Sequence, residues 1–229
     1  EQDPFQAPFY GNIASLYRDN SNLNTAISAL HQAHITRPEE PGYVVRLVNA
    51  YLQKGDLQNA IICSKRLTAL LPSEPAYHSN LGAILYKAGK YEDAIPPFQK
   101  AVALKPGDAA YIQNLAGAYN ITGKEGEALE LLMRFNNAYP QHNSVQIHLF
   151  LAGLYYKKAD WENVVSTCKK AVALDKNAAE AFKLLGFAYC NLNKDNLAEE
   201  PLRQALALLP GNPEISELLK RIADKKGEK

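Results

Sequence analysis

The sequence predicts an all-α fold, a stack of antiparallel helix pairs, and three observations predict it. Apolar residues recur at spacings of three and four, which marks one face of a helix. Two such segments around a short breaker return about every 34 residues, a period that belongs to stacked repeats. Proline closes almost every return, and proline ends a helix because it lacks an N–H and disfavours helix in the residue before it. The best-preserved unit is PAYHSNLGAILYKAGKYEDAIPPFQKAVALKP, residues 75–106. Leu81, Leu85 and Tyr86 mark its first helix, Ala94, Phe98, Ala101 and Val102 its second, and Ala88, Gly89 and Lys90 the turn between them.

Residues 1–6 are a mostly polar lead-in, after which Phe5 and Phe9 are expected to cover the exposed end of the first pair. Six units follow, at 7–40, 41–74, 75–108, 109–144, 145–178 and 179–212. Their sixth to eighth residues read Asn12-Ile13-Ala14, Arg46-Leu47-Val48, Asn80-Leu81-Gly82, Asn114-Leu115-Ala116, Phe150-Leu151-Ala152 and Leu184-Leu185-Gly186. Three residues later comes Tyr17, Tyr51, Leu85, Tyr119, Tyr155 or Tyr189. The second helices repeat a small residue, Ala26, Ala60, Ala94, Ala128, Val164 and Ala198, and an apolar one, Ala33, Leu67, Ala101, Phe135, Ala171 and Ala205. The units close on Pro38, Pro72, Pro106, Pro140, Lys176 and Pro210. Small residue facing small residue lets two helices approach closely, while the aliphatic and the tyrosine fill the space to the next pair.

The period breaks once, where Pro140 to Ser144 carry two extra residues. This predicts a changed rotation there, with four units, a bend and then two. Pro96, Pro97 and Pro201 fall inside second helices and predict local bends rather than helix ends. Residues 213–229 read as a capping helix with a basic tail, Ile215, Leu218, Leu219 and Ile222 sharing one face.

These offsets resemble the tetratricopeptide repeat, over residues 7–212. The family's tryptophan is replaced by Tyr10, Val44, His78, Ile112, His148 and Phe182, and the fifth unit carries Val164 and Lys176 where alanine and proline are expected. The resemblance implies a right-handed superhelical solenoid whose first helices line a concave groove. It implies that the second, fifth, sixth, ninth, twelfth and thirteenth residues of each unit face that groove. Those positions hold Asn12, Ser15 and Arg18; Arg46, Asn49 and Gln53; Ser79, Asn80, Tyr86 and Lys87; Gln113, Asn114 and Asn120; Phe150, Tyr156 and Lys157; Lys183, Phe187 and Asn191. The partner-binding set expected from them is Arg46, Asn49, Ser79, Asn80, Tyr86, Lys87, Gln113, Asn114, Asn120, Phe150, Tyr156, Lys183 and Phe187. Side-chain amides donate and accept, so Asn49, Asn80 and Asn114 suit the backbone of an extended peptide. Asn80 and Asn114 also fit the repeat consensus, with bonds inside the stack. The family's carboxylate clamp is not expected: Asn49 and Asn80 match its asparagines, but Val45, Ala110 and Asn114 stand where it needs cations.

A formal net charge of +1 and a pI near 7.9, with both sides of Ser144 near balance, argue against a polyanion binder. RNA recognition by a related helical repeat would also need a period one residue longer. Cys63, Cys168 and Cys190 are scattered and form no CxxC pair, which favours a reducing, cytoplasmic compartment over a disulfide framework or a cysteine zinc site. The chain opens at Glu1 without a methionine, which leaves room for a removed targeting or anchoring segment and a periplasmic or tethered location. No run is long enough to insert into a membrane. There is no phosphate loop, nucleophile elbow, HExxH or EF-hand string, so no catalytic, cofactor or metal site is expected. His31 and His34 are three apart and lack a third ligand. Trp161 is expected to pack within its unit.

The expected function is therefore a non-enzymatic scaffold that binds a peptide segment or partner protein in the groove and supports assembly of a larger complex. The alternative is the recognition module of a larger enzyme whose catalytic part lies elsewhere. The solenoid ends offer a route to homo-oligomers.

Overall fold

Each helix of the chain is bounded by local chemistry that the sequence supplies. In the computed structural model, which describes residues 23–227, the helices are α1 (Leu23–Thr36), α2 (Pro41–Lys54), α3 (Leu57–Leu70), α4 (Pro75–Lys87), α5 (Tyr91–Leu104) and α6 (Ala109–Ile121). They continue with α7 (Glu125–Ala138), a 3₁₀ turn (Pro140–His142), α8 (Val145–Lys157), α9 (Trp161–Leu174), α10 (Ala179–Asn191), α11 (Asp195–Leu208) and α12 (Pro213–Gly227). There is no strand among the described residues, and within each unit consecutive helices pack against one another. The expectations on Phe5, Phe9 and the groove residues Asn12, Ser15 and Arg18 lie outside the described residues.

Proline opens α2 and α4, where its missing N–H costs nothing because the first helical N–H groups lack intrahelical partners. Asp56 and Asp160 cap α3 and α9, each accepting from the backbone N–H and the side-chain amide of Asn59 and Asn163. Ser144 caps α8 by accepting from the Ile147 N–H at 3.3 Å. The turns inside the second to sixth repeats each hold one left-handed residue. Gly55, Gly89 and Gly123 supply it at φ of 78°, 74° and 74°, whereas Ala159 and Asn193 adopt φ of 54° and 56° at the same repeat position.

By contact the chain divides into two compact units, Glu1–Lys124 and Glu125–Lys229. The division falls between α6 and α7, inside the fourth repeat. Within the second unit the insertion forms the 3₁₀ turn, and α7 and α8 meet over fewer residues than the consecutive helices that follow.

Two packing relations recur. In the first, the small residue of the first helix lies against the eighth residue of the second helix. A Cβ on Gly82 would come 2.6 Å from the Phe98 ring, and one on Gly186 would come 2.5 Å from Leu202. The expected small-on-small approach is half of the arrangement: the same Gly186 Cβ would sit 3.4 Å from the Ala198 carbonyl, and a large residue one turn on fills the space that the glycine leaves. The same positions hold Val48 with Ser64 and Ala152 with Cys168, all four buried. In these four repeats the large partner goes with glycine and the small partner with a larger first residue.

The second relation ties one repeat to the next through the recurrent tyrosine. Tyr51 meets His31 Nε2 at 2.7 Å, the Tyr119 hydroxyl accepts from Gln99 at 2.8 Å, and the Tyr155 hydroxyl donates to the Met133 sulfur at 3.3 Å. Lys169 lies over the Tyr189 ring, 5.8 Å from its centroid. Each partner occupies one fixed position on the second helix of the preceding repeat. Net hydrogen bonds of this kind contribute about 0.5–1.5 kcal/mol each.

Pro96 and Pro97 lie within α5 and Pro201 within α11, and both helices run through them. At the end of the second unit, α12 buries Ile215 and Ile222. Lys225 reaches Asp195 at 2.7 Å and Lys226 pairs with Glu199, so the basic tail is anchored on α11. Lys220 occupies the position that Gly82, Ala152 and Gly186 hold in the repeats. Among the described residues no helix is long and apolar enough to cross a membrane.

Candidate functional site

The side chains left over by packing gather on the first helices. In the first unit α2, α4 and α6 carry them, with α4 touching α6; in the second α8, α10 and α12 do, with α8 touching α10.

On α2, Arg46 and Asn49 are exposed. On α4, Asn80 and Lys87 are exposed, while Ser79 is 6% accessible and its hydroxyl accepts from the Asn114 amide of α6 at 3.3 Å. Of the two readings of the asparagines, the bond inside the stack holds for Asn114, and Asn80 keeps its amide unengaged among the described residues. Gln113 and Asn120 on α6 are half-buried. Tyr86 is half-buried with its ring edge-on to Tyr91, centroids 4.9 Å apart.

In the second unit Phe150 is half-buried on α8 and Tyr156 is exposed. Tyr156 repeats the Tyr86 arrangement against Trp161, centroids 5.1 Å apart, so Trp161 does pack within its own repeat. Lys157 pairs with Glu125 at 3.0 Å. On α10, Lys183 pairs with Glu180 at 2.9 Å, which partly neutralises it within its own helix. Phe187 forms the floor of a cleft of about 590 Å³ whose other walls are Glu214, Glu217, Leu218, Lys220, Arg221 and Asp224 of α12. The sequence reading omitted these α12 residues by treating the helix only as a cap. The signal was available: counted on from the sixth repeat, Glu214, Glu217, Leu218, Arg221 and Asp224 fall on the second, fifth, sixth, ninth and twelfth positions of a seventh first helix.

Burial raises all three thiols above their ordinary value. Burial pushes the Cys168 thiol up to about 12. Burial also raises Cys190, helped by Asp195 and opposed by Arg221, and raises Cys63. Burial and then Lys170 hold His148 below its usual value, and burial, Arg66 and His31 do the same to His34. Among the described residues no three His, Cys, Asp or Glu side chains gather as a metal site, and His31 faces Tyr51.

A family model described as the tetratricopeptide repeat matches residues 75–108. Among solved structures, the C-terminal part of a repeat-containing protein from Cytophaga hutchinsonii superposes with a TM-score of 0.72 at 17% identity, over 92% of this chain and 84% of that one. YrrB, described as a tetratricopeptide-repeat protein with an unusual peptide-binding site, gives 0.67 at 17% identity, over 84% and 98%. PilF of Pseudomonas aeruginosa gives 0.64 at 18%, over 94% and 97%. No curated protein matches by sequence. The likeness to these structures is one of fold, and that fold generally serves protein interaction without catalysis. Its helical pairs, at a spacing that fits about six repeats, have the tetratricopeptide-repeat fold, and one repeat matches the family's own model.

Proposed function

We propose that the chain is a non-enzymatic scaffold that holds a segment of a partner protein along the first-helix faces of its units, in support of assembling a larger complex. The observation that carries this reading is the pair Asn49 and Asn80: both amides are exposed on first helices and neither makes a hydrogen bond within the described structure. A free amide on a rigid helix offers one donor and one acceptor to a peptide backbone without regard to its sequence. The half-exposed aromatic pairs Tyr86–Tyr91 and Tyr156–Trp161 add apolar contact beside the polar positions. Gln113, Lys87, Arg46 and Phe150 complete the faces. The description of YrrB as carrying a peptide-binding site supports the same use of the fold.

The partner is a protein or peptide, since the charge balance offers no polyanion surface. The test is Asn49→Ala combined with Asn80→Ala. Loss of two hydrogen bonds should weaken binding to the native partner about tenfold, with helicity and melting unchanged. Unchanged binding would refute the reading for the first unit.

A further inference from the structure

We infer that the cleft between α10 and α12 takes an apolar side chain flanked by lysine or arginine, so that the ligand at this end of the second unit is a basic, not an acidic, segment. The inference rests on the scaffold reading above and names the chemistry of the partner at one of its sites. Phe187 and Leu218, both only half-buried, form the apolar floor, with Cys190 and Asn191 in an adjoining recess. Carboxylates dominate the rim: Glu214, Glu217 and Asp224 against Lys220 and Arg221. Arg221 also lines the recess beside Cys190, and with Lys220 it leaves the rim one carboxylate in excess.

The contrast with the ion pairs that α12 makes to α11 decides the sign. There the chain supplies its own cations, Lys225 for Asp195 and Lys226 for Glu199, and Arg203 also reaches Glu199. Facing the cleft, Glu214, Glu217 and Asp224 make no ion pair among the described residues. The α10 wall adds no opposing charge, because Lys183 is paired with Glu180 and the residues lining the cleft from α10 are uncharged. An apolar floor with unneutralised carboxylates on one wall complements a ligand that places a hydrophobic residue on the floor and cations at the rim.

The experiment uses the full chain and two labelled peptides in a glycine–serine background. Each carries one central leucine, flanked by lysines in one peptide and by glutamates in the other. Fluorescence anisotropy at low salt should show the lysine peptide binding about tenfold tighter, a preference that fades as salt screens it. Glu217→Lys with Asp224→Lys should abolish that preference; both sites are exposed and clear of the first turn of α12, and circular dichroism checks that the helix persists. Phe187→Ala should weaken both peptides alike. Equal binding of the two peptides, no binding of either, or a preference that survives the charge reversal would overturn the inference. Such a failure leaves the scaffold reading standing if Asn49→Ala with Asn80→Ala still weakens the native partner. Loss of that effect instead strikes the scaffold reading itself.

Discussion

Gly186 lies so close to Leu202 that a Cβ added to it would come within 2.5 Å of the leucine side chain. The pair shows how the two helices of one repeat approach closely: the glycine leaves the space that the leucine fills. Gly186→Ala should therefore destabilise the protein by about 1–3 kcal/mol, as overpacking does. Adding Leu202→Val should recover part of the loss, a coupling that a double-mutant cycle in urea would measure. Gly153→Ala is the control, since its added Cβ meets nothing within 4 Å and the helix gains about 0.5–1 kcal/mol.

Ala159 takes the left-handed conformation that glycine supplies in three other repeats, at φ of 54°. An L-residue there costs about 1–2 kcal/mol relative to glycine. Ala159→Gly should raise the melting temperature of the second unit, after subtraction of the entropy that glycine adds to the unfolded chain. An unchanged or lowered value would show that the turn carries no strain.

The three thiols should react at separate rates. Cys168 is fully buried and pushed up to about 12, so it should stay silent to a thiol reagent near neutral pH until the protein unfolds. Cys63, half-buried, should label first and Cys190 more slowly. Timed labelling followed by peptide mapping gives the order.

Burial keeps His148 neutral, so its folded value lies below the ordinary 6.5. The native state then binds fewer protons than the unfolded state as the pH drops. The stability associated with this residue is complete above about pH 6.5 and is lost as the pH falls towards its folded value. His34 adds to the loss in the same direction. Denaturant midpoints measured from pH 7.5 to 5 should fall, and His148→Phe should flatten the curve.

Most of the fold was legible in the sequence because the repeat is a pattern of residue types at fixed spacing. Tyr51, Tyr119, Tyr155 and Tyr189 stood out for that reason. Their partners did not: His31, Gln99, Met133 and Lys169 share a position and no chemistry. The glycine–leucine complementarity escaped likewise, since the partner position holds Ser64, Phe98, Cys168 and Leu202 in four of the repeats and no letter recurs among them. At the candidate site, the sequence could place Ser79 and Asn114 on neighbouring first helices but could not say that they bond to each other and leave Asn80 free. The α12 wall of the cleft was missed because Lys220, which stops the repeat pattern, conceals that Glu214, Glu217, Leu218, Arg221 and Asp224 keep the register.

The central claim is that partners are held on the first-helix faces. Site-specific photocrosslinking tests it most directly, with a benzophenone side chain placed at Asn80 or Tyr156 on first helices and at Lys100 or Lys170, exposed on second helices. The account predicts that the native partner crosslinks from Asn80 and Tyr156 and not from Lys100 or Lys170. Crosslinking from the second-helix positions alone would contradict it.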